Sequence, residues 1–464
     1  MQLKPYLSFL VLLLCGIAAS SLMGQNLARK GSLGAMLGPI TAEIQAQRGL
    51  ENTKGTHLQQ VIPASTAANL GLQAEDILLT INGKVIENTQ QAVEMAQQFY
   101  ANQAITVEVW RENKKLTLMG KVKGKPLETS SVAEVIYDAV PYANGMLRSI
   151  IHKPKADGHF PLVVYFQGFD CGSIDAYYDN SGPVRRFVDD FVERGFAVYR
   201  VEKPGVGDSN GALDCNTINY QQELDAFDAA MTDLKKYDFL DTDNIFYFGH
   251  SLGGITAPLL ATKHQPKGVI VYGTVVKSWY EYMLEVHREQ AMKRGDDFVQ
   301  LEATSRAAAP LLAEFFLLKK TPTELMENPT YKSLMENGIM RFENDQFVGR
   351  HYTFWQELNE QNQVQAWKEA GVHTLALYGE YDLQAIGPEA AQVIADIVNT
   401  YHPGKGSYKI IPETEHAFAK VPSMEEYVNM LRDRSFNRQY MSTHFNGEIV
   451  EIIANWIVGL LRES

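Results

Sequence analysis

The strongest constraint on this chain is a change of rhythm near residue 130. Beyond it, short apolar runs alternate with helical segments. The run Leu162-Val163-Val164-Tyr165-Phe166 is unbroken, and strands are also expected at 197–201, 245–248, 373–378 and 407–411. Helical spacing falls between them at 184–194, 220–236, 254–264 and 388–399, and again at 447–461. A strand apolar on both faces must be covered on both. This alternation therefore predicts an α/β fold, a doubly wound, largely parallel sheet with helices on either side. Two further strands, 135–137 and 146–151, flank a Tyr142-Ala143-Asn144-Gly145 turn. The alternation breaks at 275–365, which reads as helical throughout and is rich in Glu, Met, Leu and aromatics. An insertion of ~90 residues is too long for a plain connection and predicts a cap over the sheet.

Residues 31–123 are different in kind, with short strands and small turns. Pro63-Ala64-Ser65-Thr66 precedes a short helix that Gly71 ends. Asp76 precedes Ile77-Leu78-Leu79-Thr80-Ile81, and that run closes on Asn82-Gly83, a strong hairpin signal. Helical spacing at 89–99 puts Ala92, Met95, Ala96 and Phe99 on one side. A polar, turn-rich stretch at 124–131 (Gly-Lys-Pro-Leu-Glu-Thr-Ser-Ser) is expected to be a linker.

Gly31-Ser32-Leu33-Gly34, Pro63-Ala64-Ser65-Thr66-Ala67-Ala68, Gly71-Leu72, Glu75-Asp76-Ile77-Leu78 and Ile81-Asn82-Gly83-Lys84 together resemble a small, β-rich PDZ domain of the permuted bacterial kind. Thr66 stands where that family usually has proline, and Glu75 where it usually has glycine. The resemblance implies a C-terminal peptide ligand added as a strand to a sheet edge. Its carboxylate would be cradled by the backbone of Ser32, Leu33, Gly34 and Ala35, beside the 89–99 helix. The alternative is a docking module whose groove is filled by its own chain.

Composition excludes some classes of function. The 464 residues are 45% hydrophobic and 21% charged, as in an ordinary globular protein. A formal charge of −13 speaks against nucleic acid as a partner. Residues 1–24 read as a secretory signal peptide: Lys4, an apolar run at 7–19, then small residues including Ser21 and Gly24. That run is shorter than the ~20 residues of a membrane helix, and cleavage after Ser21 or after Gly24 both fit. Leu14 before Cys15 departs from a lipoprotein signal. The expectation is an exported protein, periplasmic or secreted, with no stable membrane insertion.

Gly249-His250-Ser251-Leu252-Gly253-Gly254 follows the 245–248 strand and opens a helix, the pattern of a nucleophilic serine on a tight turn. Such a serine needs a base, and the base an orienting carboxylate. After 373–378 comes Gly379-Glu380-Tyr381-Asp382, and after 407–411 comes Pro412-Glu413-Thr414-Glu415-His416. Asp382 and His416 are the expected partners, with Glu380 the competing carboxylate and His250 expected to pack beneath the turn. Two backbone amides should hold an oxyanion. They are Leu252 and, from the loop Gln167-Gly168-Phe169-Asp170-Cys171-Gly172, Phe169.

With these motifs, residues 132–464 resemble an α/β-hydrolase with a helical cap, close to exported esterases and serine peptidases. Glu202-Lys203-Pro204-Gly205-Val206-Gly207-Asp208-Ser209 is similar to the family loop after the fourth strand, and Gln167 stands where histidine is common. The resemblance implies hydrolysis of a small-molecule carboxylic ester through an acyl-enzyme. A serine peptidase acting on peptides is the runner-up, and a PDZ peptide-binding protein with a silent hydrolase the third reading. No cofactor is implied. No His/Cys/carboxylate cluster has ligand spacing, so no metal is expected. Cys171 and Cys215 lie on loops after adjacent strands, where export favours a disulfide and its absence two free thiols.

Overall fold

The computed structural model of the chain describes residues 27–463, so the expected signal at 1–24 lies outside the described residues. The first sheet is small and antiparallel. It contains β1 (Ala35–Gly38), β2 (Thr56–Val61), β3 (Ile77–Ile81), β4 (Lys84–Val85), β5 (Ala104–Arg111) and β6 (Lys114–Lys121). Their order is β1-β2-β3-β5-β6, with β4 paired to β3. Asn82 and Gly83 take φ of 49° and 76°, the left-handed pair that a tight hairpin turn requires. Leu58, Leu78, Val107 and Val109 form a core with Ala92 of the helix Thr89–Gln97. β1 is an edge strand. Ser32, Leu33 and Gly34 lead into it and Ala35 opens it. The Ser32 carbonyl accepts from Thr66 Oγ1 at 2.6 Å and the Leu33 carbonyl from the Ala67 amide at 2.8 Å, which ties this loop to the helix Thr66–Leu70.

The second sheet carries the larger part of the chain. Its strands are β7 (Ala133–Tyr142), β8 (Gly145–Pro154), β9 (Phe160–Phe166), β10 (Ala197–Val201), β11 (Leu240–His250) and β12 (Gly268–Tyr272). Three short strands, β13 (Phe342–Glu343), β14 (Gln346–Phe347) and β15 (Arg350–His351), form a separate sheet before β16 (His373–Gly379) and β17 (Gly406–Ile411) complete the large one. Its order is β17-β16-β12-β11-β9-β10-β8-β7. β8 runs antiparallel to both its neighbours and the remaining pairs are parallel. Phe187, Phe191, Ile449 and Ile453 cover one face from the helices Pro183–Glu193 and Glu448–Arg462. Phe227, Leu260, Trp367 and Ile394 cover the other. Each such side chain contributes ~1.5–3 kcal/mol on burial. Among the described residues, no helix is long and apolar enough to cross a membrane.

Two expectations change. The 275–365 insertion is not helical throughout, because β13–β15 lie within it. Strands of two residues leave no apolar periodicity to read; their turns rest on left-handed Asn344, Asp345 and Gly349. The helix Gln363–Ala370 belongs to the sheet-covering layer, since Trp367 and Ala370 are buried in that core.

The 124–131 stretch is also more than a linker. The Lys125 amide donates to the Lys30 carbonyl at 2.8 Å, and Glu128 is buried. Its Oε2 meets Arg200 at 2.8 Å, His152 at 3.2 Å and Arg185 at 3.3 Å. Burial alone would raise the Glu128 carboxyl, but Arg200 and His152 hold it well below the usual carboxylate range. Composition signalled a turn-rich segment without a core of its own; it could not signal one carboxylate serving three remote buried bases. Arg29 adds a second tie through ion pairs with Asp175 and Asp208. Removing one partner from a buried ionic cluster costs about 3–5 kcal/mol. Glu128→Ala should therefore lower the urea midpoint by that equivalent. A loss no larger than that of a surface pair, about 1 kcal/mol or less, would contradict the assignment.

Candidate active site

β11 ends at His250, Ser251 turns, and the helix Gly253–His264 begins almost at once. Ser251 has φ of 56°, a left-handed conformation that costs a non-glycine residue free energy. Its amide donates to the Tyr272 carbonyl at 2.9 Å, and its carbonyl accepts from the Gly254 amide at 2.9 Å. The motif's glycines are steric requirements. A Cβ on Gly249 would land on the Gly253 carbonyl, and a Cβ on Gly253 on the Phe166 carbonyl. The close crossing of helix over strand thus needs glycine at both places.

His416 follows β17 and Asp382 follows β16, at the same end of the sheet as Ser251. His416 Nδ1 and Asp382 Oδ2 are 2.8 Å apart, with Asp382 fully buried. The other carboxylate oxygen accepts from the amides of Gln384 at 2.8 Å and Ala385 at 2.9 Å. Burial opposes charge on both residues. The imidazole and these amides nevertheless keep Asp382 below its ordinary value, and the carboxylate keeps His416 above its own. Glu380, the competing carboxylate, accepts from the Glu413 amide at 2.8 Å and so ties two loops together.

His250 packs under the turn. Its Nε2 donates to the His416 carbonyl at 2.9 Å, and Nδ1 lies 3.2 Å from the Tyr165 hydroxyl. Burial, reinforced by the neighbouring His416, pushes it down to about 3.

Three supporting residues were not legible in the sequence. Gly273 has φ of 63°, and a Cβ there would sit 2.6 Å from Asp382 Oδ2 and 2.8 Å from His416 Nδ1. A glycine ending an apolar strand was the available signal. Glu415, pushed up to about 7 by burial, accepts from the amides of Ala417 and Ala419, each at 2.8 Å, and shapes the turn carrying His416. The Tyr272 hydroxyl donates to the Glu415 carbonyl at 2.6 Å.

Gly168 passes close to the serine: a Cβ there would lie 3.4 Å from Ser251 Cβ. The amides of Phe169 and Leu252 have no protein acceptor among the described residues. Gly168, Phe169, Ser251, Leu252 and His416 line one cavity of about 1040 Å³. Its cap side is largely apolar, with Trp279, Tyr282, Met283, Val286, Phe347 and Trp355 beside the polar Gln290. Cys171 and Cys215 are joined in a disulfide with Cα atoms 5.8 Å apart, tying the loop after β9 to the loop after β10.

Against known proteins, the family model for the serine aminopeptidase S33 family matches residues 175–419 of the 464. The chain belongs to this family. Its larger sheet is that of an α/β-hydrolase, and a PDZ-domain model matches residues 58–111. Curated relatives include a probable periplasmic serine endoprotease, DegP-like, from Marinomonas sp. (strain MWYL1). It is 26% identical over 102 residues, 22% of this chain and 22% of the relative. A protein of the same description from Chlamydia pneumoniae is 29% identical over 122 residues, 24% of this chain and 25% of the relative. The chain thus spans about a quarter or less of the length of these relatives. Among solved structures, the ferulic-acid-bound Est1E of Butyrivibrio proteoclasticus is similar at 17% identity and a TM-score of 0.41, over 65% of this chain and 98% of that one.

The two neighbouring imidazoles should separate in an NMR titration. A raised value means that the folded state holds the His416 proton more tightly than the unfolded chain. Its contribution to stability is therefore full below about pH 6.5 and lost as pH rises through the folded value. Asp382→Asn should lower the His416 midpoint, and His250 should stay neutral down to about pH 3. A second imidazole titrating near pH 6.5 and assigned to His250 would contradict this geometry.

Proposed function

We propose that residues 132–464 form an exported serine hydrolase that cleaves carboxylic esters through an acyl-enzyme, and that residues 31–123 form a PDZ module that binds peptide C-termini. The observation that carries the first reading is convergence. A strained serine, a carboxylate-oriented histidine and two amides without acceptors share one cavity. Ser251 attacks the carbonyl, His416 takes its proton and returns it to the leaving group, and Asp382 orients and stabilises the imidazolium. The amides of Leu252 and Phe169 hold the oxyanion, and water then releases the acyl group.

The preference for esters rests on the cavity wall. Its cap side is largely apolar, which suits an acyl or aromatic group. Two of the carboxylates lining the cavity, Asp175 and Asp179, are ion-paired with Arg29 and Arg438. A peptidase reading draws on a third, Asp170, which is exposed and forms no ion pair among the described residues. Its Oδ1 accepts from the Gly172 amide at 2.7 Å, and an unpaired carboxylate at the cavity wall would suit a substrate amine. Export is supported by the disulfide, which persists in oxidising compartments. The PDZ reading is supported by the outer edge of β1, which pairs with no strand among the described residues.

Short p-nitrophenyl esters should be turned over, and Ser251→Ala and Asp382→Asn should each lose about 10³-fold or more in kcat/KM. Aminoacyl p-nitroanilides should be poor substrates. Strong turnover of those anilides, reduced by Asp170→Asn and accompanied by no ester turnover, would replace the esterase reading with the peptidase one.

A further inference from the structure

The two amides proposed for the oxyanion are fixed in different ways. Leu252 is held by the strand–turn–helix crossing. Phe169 lies on the 167–182 loop, which contains no helix or strand. This loop is held instead from behind. Lys203 Nζ donates to the Gly168 carbonyl at 2.6 Å and the Asp170 carbonyl at 3.0 Å. Arg350 donates to the intervening Phe169 carbonyl at 2.7 Å. Three successive carbonyls are thus taken by two cations, both wholly buried at 0% exposure.

Neither cation lines the cavity. They share one carboxylate, Glu223, which lies 3.2 Å from Lys203 and 2.7 Å from Arg350. The buried cluster therefore carries two positive charges against one negative. Arg350 also stacks on the Phe354 ring, 3.6 Å from its centroid, and burial pulls the Lys203 ammonium down to about 8. A buried cation needs further polar partners, and here the loop carbonyls supply them. The charge is directed at the loop carbonyls.

We infer that Lys203 and Arg350 are positioning residues that orient and polarise the Phe169 amide for oxyanion binding, acting through the backbone of Gly168, Phe169 and Asp170. The inference rests on the hydrolase reading of Ser251. In a trans peptide the C=O and N–H point to opposite sides. Lys203 draws the Gly168 carbonyl away from the cavity, so the Phe169 N–H turns toward it, beside Ser251. A charged donor on the carbonyl also polarises the amide and strengthens its N–H as a donor. Arg350 fixes the next peptide in the same way. It comes from β15 of the cap, so a cap residue helps complete the oxyanion site. Asn216 seats that strand: its carbonyl accepts from the His351 amide at 2.9 Å, and its Nδ2 donates to the Gly349 carbonyl at 2.7 Å.

The test compares wild type, Lys203→Met, Lys203→Gln and Arg350→Met in p-nitrophenyl butyrate hydrolysis, per site titrated to completion with a fluorophosphonate. Either methionine leaves Glu223 paired with the other cation, and thermal melts monitor folding. Lys203→Met and Arg350→Met should lower kcat about 100-fold, the scale of losing one oxyanion donor, with KM within about threefold. Lys203→Gln keeps an N–H donor and should recover at least about tenfold of the kcat lost in Lys203→Met. A purely structural role would lower the melting temperature and leave kcat per titrated site within about threefold of wild type, which overturns the inference. If Lys203→Met does not fold, Arg350→Met and Lys203→Gln carry the comparison with the same thresholds. Wild type that neither hydrolyses the ester nor labels at Ser251 would instead overturn the hydrolase reading, and this inference with it.

Discussion

Ser251 sits in a left-handed backbone conformation between a central strand and a helix, and much of the larger module is arranged to hold it there. The turn is unfavourable for a serine, so its neighbours must over-determine it. β11 supplies one anchor from between β9 and β12, and the Tyr272 carbonyl supplies another through the Ser251 amide. Glycines at 249 and 253 allow the helix to cross the strand end without a clash. The same crowding governs the partners. His416 and Asp382 approach one another only because position 273 lacks a side chain. His250, kept neutral beneath the turn, anchors the His416 backbone without competing for its proton.

The second region on which the site depends is the irregular 167–182 loop. It has no secondary structure to stiffen it, and residues from the loop after β10, the cap and the segment before β1 do so instead. The disulfide ties Cys171 to the loop after β10. Glu202, pushed up to about 7 by burial, receives the Ser173 hydroxyl and the Ile174 amide. Lys203 and Arg350 take the carbonyls of Gly168, Phe169 and Asp170. Arg29, just before the loop that leads into β1, reaches Asp175. The small module is therefore attached to the loop that borders the cavity, and its linker residue Glu128 is seated among buried bases of the hydrolase.

What could be read from the sequence follows from the range of the interactions. Strands such as Phe160–Phe166 and Ala197–Val201 are buried on both faces, so their apolar runs declare them. The Gly-His-Ser-Leu-Gly-Gly run is legible because its strain is local and needs glycines at fixed offsets. Asp382 and His416 each follow a recognisable strand, and Asp382 could be ranked over Glu380 because it lies further into its loop, past the Gly379 turn. β13–β15 could not be read, being too short to show a period. Glu128, Lys203, Glu223, Arg350 and Glu415 could not be assigned either. Each is a charged residue whose burial depends on partners far away in the chain, and a charged residue in isolation reads as solvent-exposed.

The central claim is that Ser251 is a nucleophile that forms a covalent acyl intermediate. The most direct measurement is intact-protein and peptide mass spectrometry after brief exposure to a slowly released acyl ester. The account predicts one acyl adduct per chain on the peptide bearing Ser251. That adduct should be absent in Ser251→Ala and should persist when the reaction, begun at neutral pH, is quenched into acid, where His416 is protonated and cannot activate water. Ester turnover with no adduct under those conditions, or an adduct at another residue that persists in Ser251→Ala, would contradict it.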